Sequence, residues 1–312
     1  FSSRRRHTRS GRVTGVQTCA LPIWASLRRR RRRRRKILRS IIFSCSIIAV
    51  AVFVAVGSRM ITSGDGGTNR YDVEAGNNTY DNAVIENSKI SENNNIQNEQ
   101  SMLDDIMNST QYPKQLQELA LKNEEALEFV YDYPTEHVKE HTIDLTEEAS
   151  MDSVPLFVQW DKRWGYEKYS GNFFAASGCG PTTLSMVVVY LTHNREASPI
   201  AVAKYSKEAG YSVDGSGSSW TLISEGCRHY GVKAKTVALD ESRMKAELDA
   251  GHPIVINVGP GDFTDTGHFM VITGYDDEGF SINDPNSIEK SGKRWLFKNI
   301  SSQIRAVWSM YV

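Results

Sequence analysis

One stretch constrains this chain more than any other. Nine consecutive positive charges, Arg28 through Lys36, run into the apolar segment 37–56, whose only charge is Arg39 near its start. About 20 predominantly apolar residues are enough to cross a bilayer as a helix. The positive-inside rule keeps the arginine side cytoplasmic and puts everything after Val56 outside. The expectation is therefore an uncleaved single-pass anchor with an extracytoplasmic body. The alternative is a signal peptide cut at the small residues Ala55-Val56-Gly57, followed by secretion. Cys45 follows Ile42-Phe43-Ser44, where bulky Phe43 makes a poor lipidation signal, so it reads as a small residue of the span.

The formal net charge of zero conceals this asymmetry. Fifteen of the 37 Lys/Arg lie in residues 1–39, which hold no acid. Residues 57–150 carry six bases and 19 acids, and residues 151–312 carry 16 bases and 18 acids. A balanced domain behind an acidic segment argues against a nucleic-acid partner. The hydrophobic content of 40% excludes full disorder, and four cysteines in 312 residues exclude a disulfide-dense scaffold. No His/Cys/acid cluster has ligand spacing, so neither metal nor other cofactor is expected. Val13 to Ile23 resembles the conceptual translation of a sequencing adapter, and residues 1–23 are set aside as an expected artefact. The first methionine is Met60, and the native start is expected just upstream of the arginine run. Residues 24–36 are then the cytoplasmic basic segment.

Segment 57–110 is acidic and Asn-rich with sparse apolar residues, which predicts a disordered stalk. Segment 111–150 reads as a helical spacer. Leu116, Leu119, Ala120, Ala126, Leu127 and Val130 recur at helical spacing, Pro113 suits a first helical position and Pro134 follows the expected end. This helix either packs on the domain behind it or stands solvated.

Residues 151–312 alternate turn signals with apolar runs. Helices are predicted over 181–191, 198–209, 218–230 and 241–250, with Gly210, Gly231 and Gly251 as stops for the last three. Strands follow at 253–258, 268–275, 280–283, 294–297 and 306–311. Helices first and strands second is an α+β signature.

Three positions at element boundaries can carry chemistry. Cys179, in Ser177-Gly178-Cys179-Gly180-Pro181, precedes the buried helix, and the positive end of the helix dipole favours a thiolate there. Gly178 and Gly180 would let a substrate backbone approach. The other reading is a structural cysteine, or one paired with Cys227, itself expected to be buried in a helix. His268 opens a Gly-bounded strand, where an imidazole can take and return a proton. The remaining six histidines lie in the set-aside segment, the acidic segment or helix ends and turns. Asp284, in Asn283-Asp284-Pro285-Asn286, can orient that imidazole, though the tetrapeptide is also a turn in its own right. Trp220 with Gly215–Ser219, and the loop Gly259–Phe263, are read equally as cleft walls or as plain turn chemistry with a core aromatic.

The segments Leu156-Phe157-Val158-Gln159-Trp160-Asp161, Ser177-Gly178-Cys179-Gly180-Pro181-Thr182, Gly267-His268-Phe269 and Asn283-Asp284-Pro285-Asn286-Ser287 together resemble the peptidase C39-like family, a branch of the papain-like cysteine peptidases. The resemblance covers about residues 154–312. It implies a papain-like α+β fold with Cys179 as nucleophile, His268 as base and Asp284 as orienting acid. It also implies Gln159 as an oxyanion-hole donor, although Gln159 stands farther from the cysteine than in the leader-processing members. Those members are fused to a transporter, whereas this sequence has one span and no P-loop. The expected function is hydrolysis of peptide or isopeptide bonds in a peptide or protein substrate at the cell surface. The alternatives are a non-catalytic binding module that keeps the cleft, and an acyltransferase or amidase using the same triad.

Overall fold

A computed structural model describes residues 97–312. The adapter-like segment, the arginine run, the apolar span and most of the stalk lie outside the described residues. Among the described residues no helix is long and apolar enough to cross a membrane.

The end of the expected stalk is ordered. Residues 97–108 form helix α1, and Ile106 in it is fully buried. Pro113 is the N-cap of α2 (Lys114–Lys122), one residue earlier than expected. The predicted continuous spacer helix breaks at Asn123, which is extended (φ −128°, ψ 103°) and accepts a hydrogen bond from Glu125 N through its side chain. A short 3-10 turn, Glu124–Ala126, leads into α3 (Leu127–Tyr131). Asn competes for backbone donors with its own side chain, which is why the ladder ends there. Pro134 sits inside a further turn, Tyr133–Glu136, and does not stop it. Beyond Glu136 the spacer is irregular apart from the 3-10 turn Glu148–Ser150. The six apolar positions read at helical spacing are nevertheless all buried, in a cluster with Phe173 and Ala175. The segment therefore packs on the domain behind it. Phe129 stacks on Tyr166 with centroids 4.2 Å apart, and the Tyr166 hydroxyl donates to Phe129 O at 2.7 Å.

The rest is α+β with an antiparallel sheet. Helix α4 (Cys179–Thr192) is buried from Cys179 through Val189. A helix apolar on all sides belongs in the interior. It ends at His193 in a left-handed conformation (φ 54°). Helix α5 (Pro199–Glu208) begins as expected, with the Ser198 side chain accepting from Ala201 N. The predicted helix 218–230 does not form. Ser218 pairs in a two-residue ladder, one turn covers Thr221–Ser224, and a 3-10 turn covers Gly226–Tyr230. Ser219 Oγ takes the Thr221 N–H, Glu225 leaves helical geometry, and Gly226 lies against the Tyr211 ring. Helix α6 (Glu241–Asp249) is capped by Asp240.

Six strands follow: β1 (Lys233–Thr236), β2 (Ile254–Val258), β3 (His268–Asp276), β4 (Gly279–Asn283), β5 (Arg294–Trp295) and β6 (Ile304–Tyr311), in sheet order β1-β6-β2-β3-β4-β5. All pairings are antiparallel. Strand β1, Lys-Ala-Lys-Thr, was not anticipated because it carries almost no apolar signal; lysines suit an edge strand. The predicted strand 294–297 shrinks to two residues because Phe297 opens a helical turn to Ile300. Side chains alternate between two cores. Val255, Phe269, Val271, Trp308 and Met310 join α4 in one, while Ile254, Ile256, Met270, Ile272 and Ile282 join Met244 of α6 in the other. Strand β2, buried throughout, lies between them.

Candidate active site

Cys179 is the first residue of α4 and is buried. A thiol at a helix N-terminus is biased towards the thiolate. The flanking glycines have a packing role. A Cβ on Gly178 would sit 2.5 Å from the Phe174 ring, and one on Gly180 would sit 2.5 Å from Ser218 Oγ. That hydroxyl is held by Tyr169, whose OH lies 2.7 Å from it and 2.8 Å from Ser206 Oγ. The turn carrying Cys179 is thus wedged between two neighbours that admit no side chain.

His268 starts β3 and Asp284 directly follows β4. The β3–β4 pairing sets Ile272 opposite Ile282 and Val271 opposite Asn283, which brings the two site residues together at one end of the hairpin. His268 Nε2 lies 2.6 Å from Asp284 Oδ1, with Asp284 fully buried. A carboxylate accepts only, so Nε2 carries the proton and Nδ1 is the nitrogen left for Cys179. Burial alone would lower the His268 pKa. The Asp284 charge and hydrogen bond, with a hydrogen bond and charge from Cys179, outweigh it and push the value up to about 10. The imidazole is therefore held in its charged form over the neutral pH range, chiefly by the Asp284 carboxylate and then by Cys179.

Asp284 is fixed by the turn that carries it. Oδ1 also accepts from Asn286 N at 2.8 Å, Asp284 N donates to Ser291 Oγ at 2.9 Å, and Ser287 N donates to Asp284 O at 3.1 Å. The turn reading and the functional reading of Asn-Asp-Pro-Asn thus describe one object: the turn aims the carboxylate.

Gln159 is buried, and its Nε2 donates to Ala175 O at 2.7 Å, in the turn just before Cys179. That carbonyl fixes which way the amide points, because only the NH₂ end can face it. Gln159 N donates to Pro285 O at 2.7 Å. The residue therefore ties the nucleophile's turn to the Asp284 loop, and the 20-residue gap to Cys179 closes in space. One N–H of the amide is used in this tie, and the buried Oε1 has no hydrogen-bond partner.

Other candidates fall elsewhere. Cys227 is a buried thiol in the 3-10 turn, and burial pushes its pKa up to about 11. It does not pair with Cys179; both are thiols. Trp220 packs on the core that holds α4, edge to face with Trp308 at 5.9 Å. The Gly259–Phe263 loop is stapled by Gln303, which accepts from Asp262 N at 2.7 Å and donates to Asp262 Oδ2 at 2.7 Å, while Phe263 is buried. Both match the turn-and-core reading. His137 stacks on Tyr133, His229 stacks on Tyr205 and His252 meets Glu247. Among the described residues no group of three His, Cys, Asp or Glu is arranged to hold a metal ion.

Two residues of the spacer were not anticipated at this site. Asn123 Nδ2 donates to Asn286 O at 3.0 Å and lies 3.1 Å from Asn286 Oδ1. Glu125 accepts from Ser287 Oγ, from Ile288 N at 2.6 Å and from Glu289 N at 3.1 Å. These partners lie more than 160 positions apart in sequence, and no local pattern marks them.

No curated protein matches the chain. Among the solved structures that it resembles, two each overlap about half of the chain. The peptidase domain of Streptococcus ComA, a bifunctional ABC transporter of a quorum-sensing pathway, is 18% identical; the overlap covers 51% of this chain and 96% of that one, with a TM-score of 0.38. A protein of Bacillus anthracis described as a C39-like peptidase is 17% identical over 51% of this chain and 95% of that one, with a TM-score of 0.32. The sequence model of the Peptidase_C39 like family matches residues 151–312, more than half of the chain. The chain belongs to the peptidase C39-like family.

Proposed function

We propose that this chain is a cysteine peptidase that hydrolyses peptide or isopeptide bonds outside the membrane, held there by the span 37–56. The observation that carries the reading is the buried relay from the Asp284 carboxylate through His268 to Cys179 at the head of α4. The Cys179 thiolate attacks the scissile carbonyl carbon, and the C=O electron pair moves onto oxygen. The Cys179 backbone N–H and the second N–H of Gln159 Nε2 receive that oxyanion. His268 gives its Nδ1 proton to the leaving amine as the C–N bond breaks, leaving a thioester. His268 then takes a proton from water, whose oxygen attacks the thioester; the carboxylic acid leaves and the thiolate–imidazolium pair returns. Asp284 keeps the Nε2–H tautomer in place throughout.

The anchor assignment rests on the arginine run beside an apolar run of bilayer length. Cys179→Ala tests the chemistry. Peptide cleavage, and iodoacetamide labelling within residues 97–312, are both expected to vanish with the fold intact; full-strength labelling there or cleavage in that variant refutes the assignment.

A further inference from the structure

The spacer touches the candidate site at one corner, and that corner holds residues 286–289 of the loop that aims Asp284. Asn286 is held by Asn123 through its backbone and side-chain oxygens. Ser287 Oγ, Ile288 N and Glu289 N all converge on the two oxygens of Glu125. Pro285 O is held by Gln159 N. The loop's own hydrogen bonds, Asn286 N to Asp284 Oδ1 and Ser291 Oγ to Ser287 O among them, are all local and tie it only to itself. It runs into a four-residue helix, Ile288–Ser291, which is far too short to be stable alone, and Ile288 is half exposed.

The corner itself is held by its own bonds and by the core. Asn123 Oδ1 accepts from Glu125 N, and the residues on either side belong to a buried cluster. Ala126, Leu127, Phe129 and Val130 of that cluster pack with Phe173 and Ala175. Ala175 is also the residue whose carbonyl anchors Gln159. One packed unit thus braces both the acid loop and the anchor of the oxyanion candidate.

We propose that Glu125, aided by Asn123, is a positioning residue for Asp284, so that the working domain includes residues 97–136 although the family match begins at 151. The inference rests on the proposed function for its turnover readout. Its main readout, the titration of His268, needs no substrate. If Glu125 aims Asp284 at His268, loosening it withdraws the carboxylate that keeps the imidazole charged.

The test uses the full chain in detergent with ¹³C-labelled histidine. In Glu125→Ala the His268 titration midpoint is expected to fall by about one pH unit or more as the carboxylate contact weakens. kcat is expected to fall by about 10²-fold with KM within about twofold, the scale expected for a misplaced reacting group. Glu125→Gln keeps one oxygen for the two backbone N–H groups and offers an NH₂ to Ser287 Oγ, so it should restore both readouts to within about threefold. A His268 midpoint unchanged in folded Glu125→Ala overturns the proposal. If that variant does not fold, Asn123→Ala decides by the same measurement, with a lowered midpoint supporting the proposal and an unchanged one refuting it. A wild-type chain that cleaves no peptide while Glu125→Ala still lowers the midpoint would refute the peptidase reading and leave the positioning role standing.

Discussion

Replacing Asp284 by alanine gives the sharpest test of the relay. His268 is pushed up to about 10 although burial, the largest single influence, acts downward. The charge of Asp284 and its hydrogen bond each outweigh either contribution from Cys179, so together they supply more than half of the upward push. Taking them away lowers the value by roughly two pH units or more, since burial is then opposed only by the weaker partner. The imidazolium is the proton donor to the leaving amine, so the alkaline limb of kcat/KM should move from near pH 10 in the wild type to about pH 8 or below in the variant. At pH 8 at least about half of the molecules then lack the donor, on top of the loss of tautomer control, and kcat should fall by about 10²–10⁴-fold. Linkage gives a second readout. A raised imidazole value contributes stability that is complete below its ordinary value and is lost as pH rises through about 10, so Asp284→Ala should narrow the melting difference between neutral and strongly alkaline pH. The assay is a pH–rate profile from 5 to about 11 with melting curves at each pH, and Asp284→Asn, which keeps an acceptor for Nε2–H, as an intermediate control. An alkaline limb that stays near pH 10 in folded Asp284→Ala would refute the relay.

Other outcomes follow from the same geometry. At pH 8, iodoacetamide should modify Cys179 and spare Cys227 in the folded chain, because a thiol pushed up to about 11 is thiolate in only about one molecule in a thousand; peptide mapping that finds equal labelling contradicts this. Gln159→Ala should lower kcat by about 10²–10³-fold while Cys179 alkylation changes little, since alkylation develops no oxyanion; parallel losses in both would mean that Gln159 is only a tie between loops. Gly180→Ala places a Cβ 2.5 Å from Ser218 Oγ, and overpacking of this kind costs about 1–3 kcal/mol, to be read from urea melts. An unchanged melt would show that the Tyr169–Ser218 contact yields freely.

Elements with dense apolar signal were legible from the sequence. The buried run after Cys179, the apolar run 254–258 and the His268 strand all appear close to where their patterns put them. The errors share a cause, which is tertiary contact overriding local pattern. Residues 218–230 look helical, yet Ser219 captures its own backbone and Gly226 is pressed on Tyr211. Lys233–Thr236 has no strand pattern and is a strand because β6 offers it an open edge. At the candidate site, Cys179, His268 and Asp284 could be singled out because each stands at an element boundary with a chemical reason to be there. Gln159 was readable only through the family resemblance. Glu125 and Asn123 had no signal, since what they bind is a loop more than 160 residues away.

The order of the strands sets when this domain can come into being. Strand β6, residues 304–311, lies between the edge strand β1 and β2, inside the sheet and not at its rim. Until those residues have emerged, β2 has an open edge where β6 belongs and β1 has no partner in the sheet. Sheets closed by such distant pairings assemble slowly and late. His268 sits on β3, immediately beside β2, so the relay to Cys179 can settle only after the last strand is threaded into place.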